Sequence, residues 1–306
     1  MKTLRGITWD HSRALPPLVA VGQRYEELNP GIQIKWDKRT LHEFGHKAID
    51  ELTDLYDLIV IDHPWAGFCF DRDLVVDLRS RIKAETYQVL SQAFVGSAFQ
   101  SYLYKEKLLA IPIDTATPVP SWRPDLLENN NIKLPATWHE VTALADRKLA
   151  IMPGFTADLF LNWLMLLHSL DARPFLSKTS IAHEAAAKKA MHLLKRLAEP
   201  MPEEIFDWNP IRVAEIMTQA DKFAYCPFAY SYSNYTRLSF SSKPLKYGEL
   251  VMLNDRPLRS ILGGTGLAIS KKCKNKDHAL NFSLYCCSSI VQKGIYTYAG
   301  GQPAHL

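Results

Sequence analysis

The sequence lacks the features that define several large protein classes. Its 306 residues hold no apolar run close to the roughly 18 residues that a membrane-spanning helix needs. Residues 1–5 lead directly into a predicted strand, with no apolar segment or cleavage site typical of a secretory signal. We therefore expect a cytoplasmic location for the sequence as it stands, or a periplasmic or extracellular one if a signal was removed or lost.

Strong charge and paired cysteines are also missing. The net charge is only +4 and basic residues are mixed with acids, so the sequence predicts no nucleic-acid partner. The five cysteines form no CxxC pair, which favours free thiols in a reducing compartment. Histidines and cysteines do not have the spacing of zinc ligands, so no metal and no cofactor are expected.

What the sequence does have is alternation of strand and helix patterns, typical of an α/β fold. A near-continuous apolar run at 56–61 predicts a parallel strand covered on both faces. In the segment 108–127 the prolines Pro112, Pro118 and Pro120 favour an extended connection, which is a candidate hinge. Further strands are predicted at 5–10, 32–36, 74–78, 108–113, 148–152, 224–232 and 267–270. Helices are predicted at 18–28, 41–55, 83–98, 125–130, 137–147, 157–170, 183–199, 211–218 and 277–288. Thr137 with Glu140 three residues on predicts a capping box, and Asn209 predicts the cap of a helix that has Pro210 at its first position.

Two predicted strands end in the same polar pair, Asp10–His11 and Asp62–His63. Ligands of open parallel sheets bind outside the carboxyl ends of the strands, so these pairs are the first candidates for ligand binding. The alternative is that the two aspartates cap the helices that follow. Trp9 precedes the first pair and is a candidate aromatic wall, with core packing as the alternative.

Other candidates rest on weaker patterns. Gly154 and Phe155 precede an apolar helix, whose first N–H groups can face an oxygen of a ligand, or form an ordinary turn. Tyr225 and Tyr230 can stack on a sugar or heterocycle, or belong to the core. Few arginines follow the strands, which argues against a phosphate or dicarboxylate ligand. Backbone N–H groups of a glycine-rich turn are candidates too, at Gly264 and Thr265.

Three ordered stretches carry a family resemblance. They are residues 56–65, then 109–127 with 135–144 (containing WRPDLL and LPATWHEVTALA), then 263–270 with 275–302 (from GGTGLAIS to GGQP). Together they resemble the extracellular solute-binding proteins of bacterial ABC transporters, including sugar-binding members. Family members normally carry a signal and continue past the GG-x-P stretch, so we expect a fragment, a shortened member or a cytoplasmic offshoot.

The resemblance implies a type II periplasmic-binding fold: two α/β lobes, each a mixed sheet flanked by helices, with a cleft and a hinge. Lobe one would be 1–113 plus 263–306, and lobe two 114–262. Asp114 and Thr115 would then lie in the crossover that lines the cleft. The implied function is capture of a small polar ligand by a monomer, for uptake through ABC permease subunits. The acidic and aromatic candidate residues themselves suit a sugar, a polyol or a cationic heterocycle such as a thiamine-like compound. A cytoplasmic sensor, an enzyme adapted from this fold and a non-binding scaffold are the alternatives.

Overall fold

The computed structural model describes residues 1–40, 43–44, 49–170, 175–177 and 179–306. The chain divides into two compact units, the first formed by Met1–Ala116 with Leu262–Leu306 and the second by Thr117–Ile261. The predicted lobe boundaries, 1–113 with 263–306 and 114–262, stay a prediction.

The first unit is built on a five-stranded mixed sheet of order β2-β1-β3-β12-β6. β1 runs parallel to β2 and β3, whereas β12 is antiparallel to β3 and β6. Its strands are β1 (Lys2–Trp9), β2 (Ile32–Arg39), β3 (Leu58–Asp62), β4 (Leu103–Tyr104), β5 (Lys107–Leu108), β6 (Ile111–Thr115) and β12 (Gly264–Ile269). Its helices are α1 (Leu15–Leu28), α2 (Asp50–Leu55), α3 (Trp65–Asp71), α4 (Ala84–Ser91), α10 (Lys276–Cys286) and α11 (Ser289–Val291), with a 3₁₀ turn at Gln100–Tyr102 and a π turn at Gln292–Tyr296.

The second unit has an antiparallel sheet of order β8-β7-β9. Its strands are β7 (Pro118–Trp122), β8 (Tyr225–Tyr230), β9 (Lys246–Tyr247), β10 (Met252–Leu253) and β11 (Arg256–Pro257). Its helices are α5 (Pro124–Asn129), α6 (Trp138–Asp146), α7 (Thr156–Ser169), α8 (Glu184–Ala198) and α9 (Pro210–Gln219), with 3₁₀ turns at Glu203–Asp207 and Ser233–Thr236.

Local signals place the helix starts. The Thr137 hydroxyl accepts from the Glu140 N–H at 3.3 Å while the Glu140 carboxylate accepts from the Thr137 N–H at 2.9 Å, the capping box that the sequence predicts. Asn209 likewise caps α9, accepting from the Arg212 N–H at 2.9 Å. These side chains accept hydrogen bonds from N–H groups that have no partner inside the helix. The predicted starts of the two helices are confirmed.

The apolar run at 56–61 forms β3, whose residues Leu58 to Ile61 are fully buried between two neighbouring strands. The strand predicted at 148–152 is reduced to a single parallel bridge between Ala150 and Tyr225, beside which the Ile151 N–H donates to the Tyr225 carbonyl at 2.9 Å. The edge strand predicted at 74–78 is also reduced to a single bridge, between Val75 and Ser270. The predicted helix over 41–55 lies partly outside the described residues.

Each unit has its own apolar core. In the first unit the sheet packs against helices that include α1 and α10, with Leu4, Leu18 and Phe282 fully buried. In the second unit α6, α7, α8 and α9 contribute to one apolar core together with β8, where Phe228 is fully buried. Among the described residues, no helix is both long and apolar enough to span a membrane.

Candidate functional site

Three polar residues form a row across neighbouring strands of the first unit. Thr265 of β12 is paired with Asp62 of β3 on one side and with Asp114 of β6 on the other. Paired residues of neighbouring strands point to the same face, with strands about 4.8 Å apart. We call Asp62, Thr265 and Asp114 the carboxyl row. It brings together two aspartates that lie 52 positions apart in the numbering of the sequence.

Asp114 lies at the buried end of the carboxyl row. Its side chain has no exposed surface, and the Nε of Arg13, itself 8% exposed, lies 3.1 Å from its Oδ2. Burial raises the pKa of Asp114, and the Arg13 charge opposes that shift. The ion pair joins the loop after β1 to β6. The predicted ligand contact at Asp114 is therefore corrected: its carboxylate is enclosed, and it belongs to a strand of the first unit instead of a crossover.

Asp62 is the partly exposed member of the row. Burial, and next the nearby charge of Asp114, raise its pKa to about 7, while Arg13 and Arg39 act in the opposite direction. Within the described residues, Asp62 has no direct hydrogen bond or ion pair. A carboxyl with this pKa gains or loses its proton near neutral pH, and its oxygens can still accept hydrogen bonds.

The two arginines are the residues that sequence reasoning missed. Arg39 ends β2, which extends three residues past the predicted strand, and Arg13 follows β1. Both side chains are buried, and the Arg39 guanidinium lies 4.9 Å from the centre of the Phe44 ring. The expectation that arginine is scarce at the strand ends is wrong. The apolar alternation of β2 ends at Trp36 and residues 37–39 are all charged, so the pattern gave no signal that the strand continues to Arg39.

The first Asp–His pair does not join the carboxyl row. Asp10 is exposed, and its carboxylate pairs with the Lys38 ammonium at 2.8 Å. His11 accepts a hydrogen bond at Nδ1 from the Arg13 N–H at 3.1 Å. Burial, reinforced by the Arg13 charge and opposed by Asp10, lowers the pKa of His11 to about 4. The prediction that both pairs line one site is therefore corrected, since Asp10 already has a cationic partner on β2.

Aromatic residues beside the pairs are mostly structural. Trp9 is 3% exposed and packs on Phe44 with ring centres 5.0 Å apart, so the predicted aromatic wall at Trp9 is corrected to core packing. His63 is partly buried and lies edge-on to the Tyr102 ring at 6.4 Å. Burial lowers the pKa of His63, which favours the neutral ring.

Gly264 and Thr115 hold the row in place. Gly264 has φ +131°, and a Cβ there would collide with the Asp114 carbonyl oxygen, so close approach of β12 to β6 requires glycine. The Thr115 carbonyl accepts from the Gln302 amide at 2.7 Å. The Thr265 hydroxyl is buried and has no hydrogen-bond partner among the described residues. The predicted glycine turn is therefore the first part of β12.

In the second unit, the N–H groups predicted to face a ligand already donate hydrogen bonds within the protein. The N–H groups of Gly154 and Phe155 both donate to the Trp208 carbonyl, at 3.1 and 3.2 Å, so their predicted role as donors to a ligand is corrected. Gly154 is needed because a Cβ would lie 2.6 Å from the Ile205 carbonyl oxygen. The Phe155 side chain is 41% exposed.

Asp158, in the first turn of α7, is a further residue that sequence reasoning missed. It is partly buried, and burial raises its pKa to about 7. Tyr225 is fully buried in the core, which corrects its predicted stacking role. Tyr230 is partly buried and stacks on Tyr232 with ring centres 5.7 Å apart. Across the described ranges, no cluster of three metal-ligating side chains is present.

Several solved structures share this fold. A solute-binding protein from Thermotoga lettingae with bound α-D-tagatose gives a TM-score of 0.84 at 17% identity, covering 100% of this chain and 82% of that one. A solute-binding protein from Agrobacterium radiobacter in complex with ribitol gives a TM-score of 0.82 at 18% identity, and the match covers 99% of this chain and 80% of that one. A maltose-bound protein of T. maritima gives a TM-score of 0.79 at 16% identity, and the match covers 99% of this chain and 82% of that one.

These likenesses confirm the predicted two-lobe type II periplasmic-binding fold. A search of curated proteins found no match. A family model described as bacterial extracellular solute-binding protein matches residues 20–305, which is nearly the whole chain. With that match, and with a mixed sheet that carries polar side chains at its strand ends, the chain belongs to the bacterial extracellular solute-binding proteins.

Proposed function

We propose that this protein binds a neutral sugar or polyol and delivers it to the permease subunits of an ABC transporter. The observation that carries the proposal is Asp62, a partly exposed carboxyl at the carboxyl end of a buried strand, to which none of the described residues is directly bonded, in a chain of the solute-binding family. Carboxylates are good acceptors for hydroxyl groups.

The charge balance favours a neutral ligand. Asp62 and Asp114 are accompanied by Arg13 and Arg39, so the site has no excess of negative charge to attract a cation. This argues against the cationic heterocycle that the acidic residues alone suggested. The structural neighbours were solved with maltose, ribitol and tagatose, which are neutral polyhydroxylated compounds.

We also propose a location and an oligomeric state for this protein. The family consists of extracellular proteins, so we propose that this chain acts outside the cytoplasm, as a monomer.

Thermal unfolding with a panel of sugars and polyols tests the proposal. Maltose, ribitol, D-tagatose and D-mannitol are added to the protein, with thiamine as the cationic control. A binder is stabilised by mass action, by about 2.7 kcal/mol at a ligand concentration of 100 Kd. We expect stabilisation by at least one neutral compound, and its recovery unchanged after incubation.

Variants connect the response to the site. Asp62→Ala removes the ligand-dependent shift, whereas Asp10→Ala, which changes the same residue type at the end of the neighbouring strand, retains it. Stabilisation by thiamine alone would contradict the neutral ligand class. Consumption of the stabilising compound would instead indicate an enzyme, and no response to any compound would contradict binding of this class altogether.

A further inference from the structure

We propose that the Asp62 carboxyl, beside the enclosed Arg13–Asp114 ion pair, accepts a hydroxyl of the bound ligand as a carboxylate, so that ligand capture releases a proton to solvent. This inference rests on the proposed function and adds proton linkage to it. It predicts tighter binding at pH 8 than at pH 6, and ligand release on acidification.

The geometry of the row supports this arrangement. Asp62 and Asp114 lie on the same face, separated by the strand that carries Thr265. Asp114 is enclosed and its charge is paired with Arg13, so it cannot move away from Asp62 into water. Asp62 is the partly exposed member, and a ligand hydroxyl would give it the hydrogen bond that the described protein residues do not supply.

Every element packed around Asp62 contributes to its titration. Asp114 on β6 favours the protonated form, whereas Arg13, after β1, and Arg39, on β2, favour the carboxylate. The Tyr102 hydroxyl donates to the Ile61 carbonyl at 3.1 Å. Burial and the charges of Asp62 and Asp114 raise the pKa of Tyr102, so this group stays neutral.

His63 is next to Asp62 in the chain, and burial lowers its pKa. On the far side of β3, the exposed Asp10 is paired with Lys38. Neither group therefore supplies a net charge that would hold Asp62 permanently in one form, and its proton exchanges close to pH 7.

The direction of the linkage follows from hydrogen-bond strength. A hydroxyl donating to a carboxylate makes a bond about twice as strong as one donating to a neutral acceptor. The carboxylate is therefore the form that binds well, and apparent affinity falls with the fraction of protein in that form. For a group titrating near pH 7, that fraction falls about tenfold between pH 8 and pH 6.

Calorimetric titration tests the inference. Maltose, ribitol and D-tagatose are titrated into the protein at pH 6, 7 and 8. At each pH two buffers are used that both hold that pH and have different ionisation heats, which reveals released protons. We expect Kd to be five- to tenfold lower at pH 8 than at pH 6, with up to one proton released per ligand at pH 6. A flat profile in a protein that binds, or proton uptake, would overturn the inference.

Two variants make the assignment specific. Asp62→Asn keeps the shape and an acceptor oxygen, so we expect weaker binding with the same Kd at pH 6 and 8. Asp10→Asn is the matched control and keeps the pH dependence. Circular dichroism and apo melting establish that both fold. If Asp62→Asn binds with the full pH dependence, the assignment is wrong. Absence of binding by all three compounds at every pH overturns the proposed function and this inference together.

Discussion

The same dipeptide, Asp–His, lies at the ends of two neighbouring parallel strands, but its aspartate has a different environment in each. After β1, Asp10 is exposed and paired with Lys38. At the end of β3, Asp62 is partly buried, has no direct partner among the described residues and lies in a row with Asp114. The difference comes from the strands alongside. β1 has β2 beside it, which brings a lysine, whereas β3 has β12, beyond which β6 brings a second carboxylate. A shared motif therefore does not imply a shared role.

The largest expected effect is at the buried end of the row. Asp114→Ala leaves the Arg13 guanidinium buried without its carboxylate, and we expect a loss of about 3–5 kcal/mol in the free energy of unfolding, measured by urea denaturation. Asp10→Ala, which removes an exposed partner of Lys38, is the control and costs about 0–1 kcal/mol. Equal costs for the two variants would show that the two strand ends do not differ in burial.

The next effect concerns the close approach of β12 to β6. Gly264→Ala introduces a side chain at φ +131° against the Asp114 carbonyl, and we expect a loss of about 2–4 kcal/mol from strain and overpacking. Gly31→Ala is the matched control, since Gly31 has φ +96° but open space around it, and should cost about 1 kcal/mol. If the two costs are equal, the contact between β12 and β6 is looser than described.

A smaller effect is the pH dependence of the unliganded protein. The folded pKa of Asp62 is about 7 and its unperturbed value is 3.8, so between these values the folded state binds more protons than the unfolded state. Stability therefore decreases as pH rises from about 4 to 7. The Asp62→Asn variant lacks the part of this decrease in stability that comes from Asp62, because asparagine does not titrate.

We expect the Tm of Asp62→Asn relative to the wild type to increase between pH 5 and pH 8. The corresponding difference is about 1–3 kcal/mol, below the full linkage value because part of the side chain stays in water. Scanning calorimetry across this range checks it. Asp10→Asn should show no such trend, and a parallel pH profile for Asp62→Asn and the wild type would contradict the role of burial at Asp62.

Much of the fold is predictable from local patterns. The capping box at Thr137 and the Asn209–Pro210 helix start are confirmed because such signals act within a few residues of the backbone they serve. The continuous apolar run of β3 likewise indicates a strand covered on both faces. The strand expected at 148–152 is reduced to one bridge to β8, because an apolar run indicates burial but does not fix how many residues pair with a neighbouring strand.

The candidate site was predictable only in part. Asp62 and Thr265 were found from strand ends and a glycine-rich stretch, and the structure places them opposite each other. Arg13 and Arg39 were missed because their positions beside Asp62 depend on how β1 and β2 pack, which no local pattern reports. For Trp9 and Tyr225 the choice between ligand contact and core stayed open for the same reason, since alternation alone does not show which face of a strand is enclosed; the structure places both in the core.

The sequence by itself determined where the chain forms helices and strands, and that polar groups follow β1 and β3, because hydrogen bonding and apolar periodicity are local. Only the tertiary structure decided which carboxylates become neighbours. The pairing of β12 with both β3 and β6 brings Asp62 and Asp114 together, while the approach of Arg13 encloses one of them. Burial and charge at a strand end are properties of every element that surrounds it, so they are fixed only when those elements pack.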